Sequence, residues 1–238
     1  MKIKAEPLNR CALVTIYGTS SYARRSLILP LQKTINEKVS PYFKKCGINL
    51  YSVDYANVTC PFPNSPPGEV RAGCLSGISC PPTSLMNEQM MDAFSGANIK
   101  IGDRTFPQII LVVSGFNFPG VILACTVART KNGIKRPFIW LSQAANDDPI
   151  VIAHEIGHAL MVQRNSARCR SDPDPYSKTD LCHNKNKRNI MYPNRTELIL
   201  PVSFTKAQCD LMKKSYLIRP NCPDSQILRR KLSRRQPS

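Results

Sequence analysis

From residue 149 to 162 the chain reads PIVIAHEIGHALMV, apolar at nearly every position apart from His154, Glu155 and His158. Asp148 is placed to cap a helix here, Pro149 suits its first position, and no further proline interrupts the run, so a helix is expected from near 149 to near 164. A helix that is apolar all round has no solvent face, and the rest of the fold must be wrapped around it. Polar side chains on such a helix need partners, because burying them unpaired is costly. Gly157 sits inside the run and costs about 1 kcal/mol relative to alanine. That cost implies that another backbone or a ligand comes close at this point.

His154 and His158 are four residues apart, so their imidazoles share one helical face, about 6 Å from each other, and can reach a single ion. Glu155 lies beside them, where a carboxylate can handle a water on that ion. The spacing is the one that zinc-dependent peptide hydrolysis requires. The plain alternative is a buried helix that merely contains two histidines.

At 238 residues the chain fits one large domain or two small ones, and either can bury a real core. With 33 Lys and Arg against 16 Asp and Glu the net charge is +17. Such a surface attracts anionic partners: cell envelope, acidic glycans, nucleic acid or acidic proteins. Solubility alone is the simpler reading. No apolar run approaches the length of a membrane span. Met1-Lys2-Ile3-Lys4 has the charge of a signal-peptide start but no apolar stretch follows, so any export signal is expected to have been removed.

The ten cysteines, at 11, 46, 60, 74, 80, 125, 169, 182, 209 and 222, are spread through the chain rather than clustered as CxxC pairs. This argues for disulfides in an oxidising compartment, secreted or periplasmic, and against a thiolate zinc site. Cys169 with Cys182 would close the stretch after the helix, and Cys209 with Cys222 would pin the last helix to its tail. The sequons at Asn57 and Asn194 carry little weight.

Along the chain, 11–17 (CALVTIY) reads as a buried strand and 22–45 as a long helix with Leu27, Leu31, Ile35 and Val39 at helical spacing. Residues 48–53 read as a second strand, parallel to the first. Residues 57–82, with six prolines at 61, 63, 66, 67, 81 and 82 and three cysteines, read as a disulfide-tied loop, followed by a short helix over 84–94. Three strands follow at 108–114, 120–127 and 137–142. The link 115–119 is too short for a parallel crossover, so the first two must run antiparallel, and one of them is expected at an edge. No internal repeat is apparent. Residues 205–217 read as a capped helix and 229–235 as a basic tail run.

A catalytic zinc needs three protein ligands and leaves a position for water. The chain has three histidines, at 154, 158 and 183, so an all-imidazole site must use His183. Asp172, Asp174 and Asp180 compete for that place, since carboxylates also bind zinc.

At this point HEIGHAL followed by NIMYP resembles the metzincin zinc peptidases, with Met191 in the place of the turn methionine beneath the metal. The order of strands and helices over roughly 11–217 resembles the same family. The resemblance implies an α+β fold with an α/β-like N-terminal part: a mixed, mostly parallel twisted sheet, the active-site helix, the methionine turn and a C-terminal helix. It implies one catalytic domain with an N-terminal subdomain over 1–163, a C-terminal subdomain over 164–222 and a basic tail over 223–238. The chain departs from the family where the extended pattern HExxHxxGxxH would need Gly at 161 and His or Asp at 164; Met161 and Arg164 stand there. Arginine cannot ligate zinc. The helix is therefore expected to run on where the family turns, with His183 from the longer loop as third ligand. Tyr192 directly follows Met191, whereas the metal-side tyrosine of astacin-like members lies two residues after the methionine, so it is not given that role. No cysteine switch of the matrixin type is visible, and Cys11 reads as structural.

The expected activity is zinc-dependent endopeptidase hydrolysis, with one zinc ion on His154, His158 and His183 acidifying a water and Glu155 as general base and then acid. The edge strand, with 120–127 the best candidate, would pair with an extended substrate. Tyr192, Pro193 and Asn194 should line the pocket after the cut. The expected partner is a protein or peptide substrate, acidic or on an anionic surface, for a monomer with no specific nucleic acid. Two other classes are a non-catalytic zinc protein, which would not need Glu155, and a basic glycan- or nucleic-acid-binding protein. The single tryptophan and the lack of aromatic-basic interleaving count against a platform for single strands.

Overall fold

The computed structural model describes residues 10–18, 29–54, 99–101, 104–113, 118, 122–131, 134–162 and 171–220. The expected loop over 57–82, the helix over 84–94, Leu27, Cys169, Cys222, Asn57 and the basic tail lie outside them.

Strand β1 (Arg10–Gly18) is the β-branched run CALVTIY with one residue more at each end. Next comes helix α1, in three segments: Leu29–Thr34, a π-helical Ile35–Val39 and Ser40–Lys45. Leu31, Ile35 and Val39 are fully buried, as their spacing requires. The π turn precedes Pro41, which has no N–H to donate and whose ring would collide with the carbonyl four residues back; the wider turn relieves both. Gly47, at φ +72°, turns the chain into β2 (Ile48–Asp54). Strand β2 pairs parallel with β1 from Arg10–Ile48 to Ile16–Asp54.

Strands β3 (Ile99–Ile101) and β4 (Arg104–Phe106) form a small antiparallel pair that the hydrophobic pattern does not announce. Then β5 (Gln108–Val113), β6 (Ala124–Lys131) and β7 (Ile134–Leu141) complete the main sheet, in the order β2-β1-β5-β7-β6. Strand β5 is parallel to β1 and β7, and β6 is antiparallel to β7. The expected antiparallel sense of β5 and β6 holds in direction, but they are not neighbours, because β7 lies between them. The short link excludes a parallel crossover and says nothing about adjacency. The β6 strand begins and ends about four residues later than its apolar run, and β7 begins three residues earlier. A hairpin ladder runs on to Lys131–Ile134, since backbone pairing at an edge does not require apolar side chains.

Helix α2 (Pro149–Met161) packs against β6, β7 and the π segment of α1, and its core residues join those of α1 and one sheet face, including Val14, Ile16, Leu111 and Ile139. It ends at Met161, with Val162 extended, and does not run to 164. The break is at Val162, whose ψ of 132° takes it out of the helical region while its N–H turns back to the Ala159 carbonyl. Helix α3 (Lys206–Lys213) opens on a capping box, Thr205 with Gln208, as expected for a start at 205. It stops four residues short of 217, because the chain turns at Ser215 to bury Leu217 and Ile218 and to add β8 (Arg219–Pro220) to β1 at Arg10 and Cys11. The buried Cys11 thiol faces the Arg219 carbonyl at 3.7 Å.

Cys209 on α3 is bonded to Cys46 at the end of α1, not to Cys222. The core brings these helices together across 163 residues, a proximity that sequence distance hides. Cys125 and Cys182 are disulfide-bonded as well. Among the described residues no helix is long and apolar enough to cross a membrane.

Candidate metal centre

The start of α2 is fixed at both carboxylate oxygens of Asp148. Its Oδ1 accepts the N–H groups of Ile150 and Val151 at 2.9 and 3.2 Å, and its Oδ2 accepts Arg195 Nε at 2.8 Å. From this anchored helix His154 and His158 project side by side, half-buried, with Glu155 buried between them.

His183 arrives from the segment after α2 and completes a cluster. His158 Nε2 lies 2.9 Å from His154 Nε2 and 3.1 Å from His183 Nε2. A tetrahedral zinc at its usual imidazole distance would hold such nitrogens roughly 3.3 Å apart, so little adjustment separates this arrangement from a ligand set. The other ring nitrogens fix the tautomers of two of the three. His154 Nδ1 donates to the Ile190 carbonyl at 2.8 Å, and His183 Nδ1 lies 2.8 and 2.9 Å from the two carboxylate oxygens of Asp180. Both Nε2 atoms therefore present lone pairs toward one point, which a cation reconciles. Burial pushes His154 down to about 4, partly offset by the Ile190 hydrogen bond, and holds His158 well below the usual histidine range, helped by His154 and His183. Neutral imidazole is the form that binds metal, so the donor set fits a divalent ion.

Glu155 is the other buried ionisable group here. Burial raises its carboxyl to about 7, against the opposing effect of a hydrogen bond from Thr126 Oγ1 to Oε2 at 2.6 Å. A carboxylate poised near neutrality can both take and return a proton.

The loop that carries His183 is held by a buried polar network. Asp172, 3% exposed, accepts Asn184 Nδ2 and Asp174 N–H on Oδ1 and Gln208 Nε2 on Oδ2. Gln208 Nε2 also donates to Asn189 Oδ1, and Gln208 Oε1 accepts from Asn189 Nδ2 and Thr205 N–H. Asn189 Oδ1 further accepts Met191 N–H, so the capping residue of α3 and the turn over 189–192 share one set of bonds. The three aspartates that compete with His183 in the sequence thus have other work. Asp172 is the network's centre, Asp174 pairs with Lys185 and Asp180 orients His183.

Met191 is fully buried, in a turn closed by Tyr192 N–H to the Asn189 carbonyl. A Cβ on Gly157 would lie 2.7 Å from Met191 Sδ and 3.2 Å from Phe204. The close approach at Gly157 is made by side chains, not by the backbone or ligand that the sequence leads one to expect. Tyr192 is buried, its ring against Tyr176 and its hydroxyl donating to Glu197 at 2.9 Å. Pro193 and Asn194 are exposed, and Asn194 caps the turn Arg195–Glu197. The sequence reading missed Thr126, Asp180 as an orienting group and the Gln208 network. Of these, only Asp180, three residues before His183, left a local trace.

No protein-family model matches the chain, and no curated protein matches it. Among solved structures, the crystal structure of metalloproteinase-II from Bacteroides fragilis is similar, at 11% identity and a TM-score of 0.48, over 87% of this chain and 54% of that one. The chain spans about half the length of that protein. At that identity and TM-score the likeness assigns no chemistry to this chain.

Proposed function

We propose that this chain is a zinc endopeptidase of the metzincin type, secreted or periplasmic and monomeric, with His154, His158 and His183 as the ligands of one Zn2+. The observation that carries the proposal is the convergence of three Nε2 atoms next to a buried glutamate at the catalytic spacing. When bound, zinc would supply an acidified water and an electrophile for the scissile carbonyl. Glu155 takes the proton from the attacking water and passes it to the leaving amine, a role for which a carboxyl near 7 is suited. Asp180 and the Ile190 carbonyl hold His183 and His154 with their Nε2 lone pairs toward the metal. Met191, packed beneath α2 at Gly157, serves as the turn methionine, and Tyr192, Pro193 and Asn194 would border the site on the leaving side. Strand β6, the end strand of the main sheet among the described residues and packed over α2, would pair with an extended substrate. The net charge of +17 favours acidic substrates or those on an anionic surface.

The test is zinc content together with cleavage of a peptide library by the parent chain, Glu155→Ala and His183→Ala. Glu155→Ala should keep its metal and lose cleavage, while His183→Ala loses both. Cleavage by Glu155→Ala at the parental rate would overturn the peptidase reading, and full zinc in His183→Ala would move the third ligand elsewhere.

A further inference from the structure

We infer that Thr126, on the edge strand β6, is a positioning residue for Glu155: its hydroxyl holds one carboxylate oxygen, so that the other takes the proton. This rests on the peptidase reading above. Thr126 Oγ1 lies 2.6 Å from Glu155 Oε2 and 3.0 Å from the Glu155 carbonyl oxygen. A hydroxyl has a single proton to give. Oε2 is the nearer of the two acceptors, so the proton goes there.

A glutamate's last torsion is broad, with no strong staggered preference. Without a donor the carboxylate of Glu155 could turn about that bond, and either oxygen would meet the water only part of the time. Thr126 removes this freedom. Its own side chain is β-branched, with few rotamers, and its backbone is paired with Ile139 in the β6–β7 ladder, so the donor stands on a rigid element. The strand bearing it is also the edge on which an extended substrate would add. One hydrogen bond therefore sets the base in register with the strand that would hold the scissile bond.

The donor role is constant through the reaction. Water gives a proton to Oε1 as its oxygen bonds to the carbonyl carbon. That proton passes to the amide nitrogen as the C–N bond breaks, and Glu155 returns to the carboxylate. Oε2 accepts from Thr126 throughout, and the threonine proton never transfers.

The test compares Thr126→Val, which keeps the shape and removes the hydroxyl, with Thr126→Ser, which keeps the hydroxyl. Zinc content, kcat and KM are measured on a peptide that the parent cleaves. Misplacing a catalytic group is costly, so Thr126→Val should lose about 10- to 100-fold in kcat with KM within about threefold and full zinc, and Thr126→Ser should stay within about threefold of the parent. A second readout needs no activity: in the metal-free chain, the melting-temperature loss on Thr126→Val should shrink when Glu155 is already alanine. Parental kcat in Thr126→Val, an equal defect in Thr126→Ser, or a defect confined to KM overturns the inference and leaves the peptidase reading standing. Melting losses that are the same in both backgrounds also overturn it. A parent that holds zinc and cleaves nothing overturns the peptidase reading itself, and the inference with it.

Discussion

Met191 Sδ occupies the space that a side chain on Gly157 would need, 2.7 Å from the position of its Cβ, so the turn over 189–192 and helix α2 are fitted to each other at one glycine. Gly157→Ala would gain about 1 kcal/mol of helix propensity but must push both Met191 and Phe204 aside in a fully packed core. The net expectation is a loss of about 1–3 kcal/mol, read as a lower Tm of the metal-free protein, together with reduced zinc retention. A variant as stable as the parent with unchanged zinc content would show that the turn yields easily.

Asp180 holds His183 through Nδ1, with both carboxylate oxygens within 2.9 Å. Removing such a partner typically weakens metal binding by about 10- to 100-fold. Asp180→Ala should lose that much zinc affinity in competition with a chelator while keeping its fold. Parental affinity would mean that the loop alone orients the imidazole.

Glu155 gives the metal-free protein a pH signature. Its carboxyl is raised to about 7 by burial, so the folded state favours the protonated form. That contribution is complete below the unfolded value near 4.5 and is lost as pH rises through about 7. Glu155→Gln cannot ionise. Its stability advantage over the parent should be near zero at pH 4 and grow to the order of 3 kcal/mol by pH 8. An advantage that stays flat across this range would refute the shift. His154, lowered to about 4, works in the other direction: its contribution is present above the ordinary histidine value and is lost as pH falls through about 4, in parent and variant alike.

The Cys46–Cys209 bond ties the end of α1 to α3 across 163 residues. Closing so long a loop restricts the unfolded chain strongly, and the double variant Cys46→Ser, Cys209→Ser should lose about 2–5 kcal/mol. Urea unfolding of the variant checks this; an unchanged midpoint would assign the stability to packing alone.

What could be read without coordinates was local. The cap at Asp148, the helix from Pro149, His154 and His158 on one face, the strands β1, β2 and β5, and the capped start of the helix at Thr205 all follow from neighbours within a few residues, where periodicity and backbone chemistry decide. Only the tertiary structure decided which strands adjoin, that α2 stops at Met161, and that Cys209 meets Cys46. It also decided that Thr126 reaches Glu155 across 29 residues, and that Asp172 serves Gln208 while Asp180 serves His183. Apart from the Asp180–His183 pair, which lies three residues apart, these contacts join segments distant along the chain. Their energies depend on how the whole core closes, and a buried hydrogen bond leaves no mark on the sequence around either partner.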